Sequence, residues 1–250
     1  MIDLHTHLLY ETDDGTETIE ETINQLKQAQ KVGIKKICFT PHYMEPDYIN
    51  SVEENKKKLE KVKEFAKENN INIELYLGNE IFITDNIIED LKENKITTIA
   101  NSSYILVELP MHHEVKSLSD ILERLVSWDY KIIIAHPERY SYVQDNINYF
   151  YNLIDGPLYL QGNYESIIGK YGKEAQKAII KLLKNEQIAI LSTDIHRKDF
   201  YNDLEEILKK VKKITTEEYY QSIIMKNQEK IIKDEDIEVE LKKIKKIFNF

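Results

Sequence analysis

The residues best suited to chemistry begin at the start of the chain. Within MIDLHTHLLYETDDG, His5 and His7 stand at i and i+2 behind a short apolar stretch, and an acidic turn, Asp13-Asp14-Gly15, follows. On a strand that spacing points both imidazoles to one face. The pair could share one metal ion if the strand end opens onto a site. Read alone, a His-x-His pair is as easily a polar strand edge. It gains weight from the ligand-type residues further on: His42 after Pro41, Glu80 in Gly78-Asn79-Glu80, Glu108 before Leu109-Pro110, His136 in His136-Pro137-Glu138-Arg139-Tyr140, and Asp194 with His196. Histidine and carboxylate donors without thiolate suit Mn, Fe or Zn, and donor softness alone does not choose among them.

Each of these residues falls where an apolar run ends. Strands are predicted at 2–4, 34–40, 71–77, 104–108, 131–135, 158–161 and 188–192. Helices are predicted between them. Over 16–32, Ile19, Ile23, Leu26, Ala29 and Val32 recur at a 3 to 4 spacing, and Gly33 is placed to stop the helix. Ser51 could cap a helix over 52–70, with Leu59, Val62, Phe65 and Ala66 on its buried face. Further helices are expected at 86–93, 118–128, 147–154, 174–184, 203–211 and 216–225, with a last one near 239–247. Strands alternating with helical crossovers predict a parallel sheet, whose closed form is a barrel. Parallel strands put their carboxyl ends on one rim. The candidate ligands, five of the seven histidines among them, would therefore converge there. No Pro/Gly/Ser-rich linker interrupts the chain, so a single domain over 1–250 is expected, with a helical extension from about residue 212.

Composition narrows the class of partner. The 250 residues are 42% hydrophobic and 31% charged, with 44 acids against 34 bases for a net charge of -10, a balance that disfavours nucleic acid. No apolar run reaches the ~20 residues of a membrane span, and the amino terminus lacks a basic-then-apolar signal pattern. A cytoplasmic protein without membrane insertion is expected. The single cysteine, Cys38, cannot form an internal disulfide. A cysteine-phosphatase loop would need an arginine at position 44, which is Met44, so Cys38 reads as a buried strand residue.

Taken together, the stretches Asp3-Leu4-His5-Thr6-His7, Thr40-Pro41-His42, Gly78-Asn79-Glu80, Ala135-His136-Pro137-Glu138-Arg139-Tyr140 and Thr193-Asp194-Ile195-His196 resemble the PHP (polymerase and histidinol phosphatase) superfamily. The Asp13-Asp14-Gly15 turn and the His-Pro-Glu-Arg-Tyr block narrow the resemblance to the bacterial manganese-dependent protein-tyrosine phosphatases of capsule and exopolysaccharide clusters. It runs in unbroken order from residue 1 to about 210. The resemblance implies an α/β fold, a distorted seven-stranded parallel (β/α)7, TIM-like barrel, with up to three divalent ions at its rim. It assigns His5, His7, Glu80 and Asp194 to one ion. Glu80 would bridge to a second ion held also by Glu108 and His136, and Asp14, His42 and His196 would hold the third. Mn2+ is the implied metal, with Fe or Zn open. Three divalent ions against four carboxylates leave about +2 for a phosphate dianion.

The implied activity is hydrolysis of phosphotyrosine by metal-activated hydroxide, with Arg139 as phosphate clamp and His196 and Asp194 assisting proton transfer. The implied partner is a phosphotyrosine protein, a cognate bacterial tyrosine autokinase governing polysaccharide synthesis; a homo-oligomer is left open. Two other readings stand beside it: a phosphoesterase for a small metabolite such as histidinol phosphate, and a non-catalytic metal-binding module. One departure from the family pattern concerns a second arginine expected a few residues after the Asp-x-His motif. Here Arg197 follows His196 at once, leaving Arg197 or Lys198 as candidates for that anion contact. His112 and His113 could line the pocket or lie on a surface loop, and Tyr140, Tyr142, Tyr149, Phe150 and Tyr151 could form an aromatic wall or core edge. Gln161-Gly162-Asn163, the one strand end without an assigned ligand, is where a further substrate contact is expected.

Overall fold

The computed structural model describes residues 1–196 and 200–245. Its strands are β1 (Ile2–Asp3), β2 (Lys36–Phe39), β3 (His42–Tyr43), β4 (Glu74–Leu77), β5 (Glu80–Phe82), β6 (Tyr104–Glu108), β7 (Lys131–Ala135), β8 (Leu158–Asn163) and β9 (Ile188–Ser192). They number nine rather than seven because the second and third expected strand positions each contribute two pieces. The first break falls at Pro41, which has no N–H to give a ladder. The second falls at Gly78-Asn79, where a Cβ on Gly78 would stand 2.9 Å from the Ile99 side chain.

All ladders are parallel, in one sheet of order β1-β2-β4 and another of order β3-β5-β6-β7-β8-β9. At each break the chain passes from the first sheet to the second. Through the breaks the pairing runs on, Gly78 N to Phe39 O (2.8 Å) beyond β2–β4 and Glu80 N to Pro41 O (3.2 Å) ahead of β3–β5, and across the other edge Asp194 N to His5 O and His7 N to Ile195 O (both 2.9 Å) stitch the first sheet to the second. The parallel α/β architecture is as expected. Its ladder is two stitched sheets, not one continuous closed ring of seven strands.

Strand alternation decides which side chains face inward. In β6, Ile105 and Val107 join the large outer core under the helices, whereas Tyr104 and Leu106 join a smaller inner core with Cys38, Ile133, Ala135 and Tyr159. The same period of two carries Glu108 onto the inner side beyond Leu106, and Gln161 and Asn163 beyond Tyr159.

The helices mostly sit where periodicity puts them. Helix Ile19–Lys31 begins at Thr18, whose side chain accepts from the Glu21 N–H, and helix Val52–Glu68 begins in a capping box between Ser51 and Glu54. Two expectations fail. The helix expected over 147–154 is replaced by turns, and a short helix, Ser141–Asp145, forms ahead of it. Asn146 ends that helix in an extended conformation, and Asn152 adopts a left-handed one. The last helix expected over 239–247 is absent across 239–245, and 246–247 lie outside the described residues. The N–H groups of Lys242 and Ile244 donate instead to the side chains of Gln187 (2.9 Å) and Asn148 (2.7 Å). No described helix is long and apolar enough to cross a membrane.

Candidate metal centre

The strand ends and the loops after them gather every ligand candidate within the described residues. His5 and His7 leave β1 on one face. Their Nε2 atoms are 3.2 Å apart, and each lies 3.2 Å from Glu80 Oε2 and 3.4 Å from Asp194 Oδ1. Four atoms at the corners of a tetrahedron with such edges lie about 2.0 Å from its centre, the length of a metal–nitrogen or metal–oxygen bond. Beside this group, His136 Nε2 is 2.9 Å from Glu80 Oε1 and 3.7 Å from Glu108 Oε1. His42 Nδ1 is 3.1 Å from Glu80 Oε2 and 3.8 Å from Glu108 Oε2. On the outer side, Asp14 Oδ1 is 3.3 Å from His196 Nε2 and 3.8 Å from His42 Nε2.

Three sets of donors come close enough to hold an ion: His5, His7, Glu80 and Asp194; His7, Asp14, His42 and His196; and His42, Glu80 and Glu108. The first is the expected set. The second adds His7 to the expected trio. In the third, His42 joins Glu80 and Glu108, with His136 alongside against the opposite oxygens of the same two carboxylates.

The residues present fit a cation cluster. Glu80 Oε2, His42 Nδ1 and His136 Nδ1 are buried without a hydrogen-bond partner, and leaving such groups unpaired is costly. Burial, then the neighbouring Glu80 and Asp194 charges, push the Glu108 carboxyl up to about 8. Burial also disfavours charge on His5, but Glu80 and Asp194 outweigh it and raise the imidazole to about 9. Burial holds His42 and His136 below the usual histidine value. Divalent ions would relieve the crowding of carboxylates and the opposed imidazole nitrogens together.

Behind the candidate ligands lies a layer that the sequence did not disclose. Asp13 Oδ2 accepts from His7 Nδ1 (2.7 Å) and from the His42 N–H (2.9 Å), and Oδ1 accepts from the Gly15 N–H (3.0 Å). Burial raises the Asp13 carboxyl, but the His7 charge and hydrogen bond prevail and hold it at about 2. Gln161 Oε1 accepts from His5 Nδ1 (2.8 Å) and the His136 N–H (3.2 Å), while its amide nitrogen donates to Asn163 Oδ1 (2.8 Å). Asn163 in turn donates to Asp194 Oδ2 (2.7 Å). The Gln161 and Asp13 bonds hold the proton on Nδ1 of His5 and His7, so that Nε2 is the nitrogen that would give its proton up and turn a lone pair to an incoming ion.

Gln161 and Asn163 are fully buried and bonded to the candidate ligands His5 and Asp194, so the end of β8 does not present the solvent-facing substrate contact expected there. Their signal was a pair of polar residues two apart, in phase with an inward-facing strand. Glu138, buried and pushed up to about 7 by burial, accepts from the Asn163 N–H (2.9 Å) and the Ser166 hydroxyl (2.6 Å), bracing the same corner.

The remaining candidates are placed as follows. Arg139 donates from Nη1 to Asp194 Oδ2 (2.9 Å) and lies 4.5 Å over the Tyr171 ring, with its side chain 25% exposed at the rim. His112 and His113 are exposed on the loop after β6 and belong to none of the three donor sets. Tyr140 is buried, its hydroxyl donating to Ala135 O and accepting from the Leu109 N–H; Tyr142 stacks on it, Tyr149 tilts against Tyr142 and Phe150 meets Tyr149 edge-on. These rings are core edge. Cys38 is buried, and burial pushes its thiol up to about 12. Arg197 and Lys198 lie outside the described residues.

A family model described as capsular polysaccharide synthesis, CpsB/CapC, matches residues 1–233. The chain belongs to the CpsB/CapC family. Among its relatives, the CapC protein of Staphylococcus aureus is 32% identical over 235 residues, covering 87% of this chain and 92% of that protein. The tyrosine-protein phosphatase CpsB of Streptococcus pneumoniae is 28% identical over 204 residues, covering 80% of this chain and 84% of its own. A crystal structure from a study of YwqE of Bacillus subtilis and CpsB of S. pneumoniae, described as unique metal-dependent tyrosine phosphatases, superposes with a TM-score of 0.88 at 25% identity. It covers 97% of this chain and 100% of that one. The parallel α/β architecture described above is thus that of the family.

Proposed function

We propose that this chain is a metal-dependent protein-tyrosine phosphatase. The observation that carries the reading is the rim cluster itself: three donor sets joined pairwise through His7, His42 and Glu80, buried on one side and open to solvent on the other. Its family relatives bearing the phosphatase name support the same reading. Divalent ions held there would supply Lewis acidity and a more acidic bound water. The assigned ligands are His5, His7, Asp14, His42, Glu80, Glu108, His136, Asp194 and His196; donor chemistry suits Mn, Fe and Zn alike, and Mn2+ is proposed from the resemblance to the manganese-dependent phosphatases.

The chain's own residues do the rest. Glu80 and Asp194, buried and held below the ordinary carboxylate range by the facing imidazoles despite their burial, remain anionic donors. Arg139 stands at the open side with a guanidinium fork matched to phosphate oxygens, and its bond to Asp194 fixes where that fork sits. His196 has Nδ1 2.9 Å from the Asp194 carbonyl and Nε2 facing Asp14, so holding an ion is its better-supported role than proton transfer. A phenol leaving group, with a pKa of about 10, asks little of a general acid. The proposed substrate is a phosphotyrosine segment of a bacterial autokinase in capsule synthesis, met in the cytoplasm, and residues 1–250 are proposed to act as one domain.

The test is hydrolysis, by protein loaded with each metal in turn, of a phosphotyrosine peptide, the matching phosphoserine peptide and histidinol phosphate. The expected result is preference for the phosphotyrosine peptide with Mn2+. Preference for histidinol phosphate would overturn the reading in favour of a small-metabolite phosphoesterase.

A further inference from the structure

Beside the open face of the cluster, residues 44–50 form a short pinned loop. Met44 and Tyr48 exchange both backbone bonds (3.0 and 2.8 Å), and the Asn50 side chain donates to Thr12 O in the acidic turn that carries Asp14. This fixes the Tyr48 ring against His42, with centroids 5.6 Å apart and planes 20° from parallel. Next to it, Ile49 is 55% exposed.

Among the described residues, the other two large exposed apolar side chains are Trp128 and Met225, and Trp128 is covered by Lys92 at 4.1 Å. Ile49 is the one that follows directly on a ring packed against a candidate ligand, Tyr48 on His42. Asp14 and His196 are 48% and 28% exposed, whereas Glu80 and Asp194 are sealed beneath. Substrate must therefore arrive over Asp14, His196 and Arg139, on the side where Tyr48 stands against His42 and its neighbour Ile49 is exposed. Across the opening, the Tyr171 ring is already occupied by the Arg139 guanidinium.

We propose that Tyr48 and Ile49 form the wall against which the aromatic ring of the substrate packs, so that this loop selects aryl over alkyl phosphate esters. The inference rests on the phosphatase reading above and adds to it the residues that read the leaving group. A flat ring gains offset stacking on an aromatic side chain and contact with an aliphatic neighbour. A short alkyl ester such as glycerol phosphate gains neither, and phosphate contact alone would not separate the two.

The test compares Tyr48→Ala, Tyr48→Phe and Ile49→Ser with the parent protein, all loaded with Mn2+, on phenyl phosphate and glycerol 3-phosphate. Because leaving-group reactivity cancels in a ratio of ratios, the readout is the change in the phenyl-to-glycerol kcat/KM ratio. Calorimetric binding of phenylphosphonate against methylphosphonate supplies a measure independent of turnover. The expected result is a ratio lowered about tenfold by Tyr48→Ala, lowered less by Ile49→Ser and kept by Tyr48→Phe, with a parallel loss of phenylphosphonate affinity. Equal losses on both esters would reduce Tyr48 to a support for His42, and an unchanged ratio would remove the loop from recognition; either overturns the inference while leaving phosphatase activity standing. A parent protein inert on both esters contradicts the phosphatase reading itself and takes this inference with it.

Discussion

At the residue scale the candidate centre works by crowding. Imidazole nitrogens and carboxylate oxygens meet at 2.9 to 3.8 Å, and at the edge Arg139 is bonded to Asp194. The hydrogen bonds behind them, not the ligands themselves, decide which nitrogen faces inward. Gln161 is the sharpest case, because one oxygen orients His5 and receives the His136 N–H. Replacing it by Ala should weaken metal binding about 10- to 100-fold, as measured by titration of the metal-free protein. Unchanged affinity would show that His5 is oriented without it.

Arg139→Ala should lower kcat/KM on a phosphotyrosine peptide by about 1.5 to 3 kcal/mol, the size of a charge-assisted hydrogen bond. Unaltered kinetics would leave Arg139 as scaffolding for Asp194. Protonation also enters here. The ion-free protein holds Glu108 up to about 8 and His5 up to about 9, so near neutrality both carry protons that an incoming ion must expel. Metal affinity should therefore tighten as pH rises from 6 towards 9, with proton release seen as a buffer-dependent binding enthalpy. A pH-independent affinity would mean that both groups are already deprotonated.

At the element scale, the rim depends on short strands that stop where their ligands are needed. His136 and Asp194 both leave their strands with positive φ, 31° and 53°, a turn that aims each side chain back over the rim. The turn from Asp13 to Gly15 is equally constrained. A Cβ on Gly15 would stand 1.8 Å from the His7 carbonyl oxygen, so no side chain fits there without moving Asp13 and Asp14. Gly15→Ala should cost most of the activity and loosen one ion while the fold persists, checked by metal content alongside circular dichroism. Full loading and activity would show that the turn tolerates displacement.

The convergence of the strand-end candidates was legible in the sequence because each follows an apolar run and a parallel sheet gathers such ends. Asp13, Gln161 and Asn163 were not. Their role is set by distances to His7, His5 and Asp194, which no local pattern encodes. The break at Pro41 was written in the chain, yet its consequence, a change of sheet, depends on which neighbour the resumed strand meets.

At the scale of the whole molecule, the two sheets are held together by the site at one end and by the tail at the other. The tail's Ile237 and Ile244 are buried, and Tyr104, Asn148 and Gln187 take up its backbone groups. The periodicity of Leu241, Ile244 and Ile247 reads as a helix. It forms none over the described part, because side chains more than fifty residues away satisfy its backbone. A net charge of -10 disfavours a phosphate dianion until cations load the rim, so phosphate binding depends on the ions.

Elemental analysis of the purified protein, after Mn2+ loading and removal of free metal, tests that most directly. The account predicts more than one and up to three ions per chain, with phosphotyrosine hydrolysis rising with occupancy and lost on chelation. A chain that retains no metal, or one that hydrolyses the peptide equally well when stripped, would contradict it.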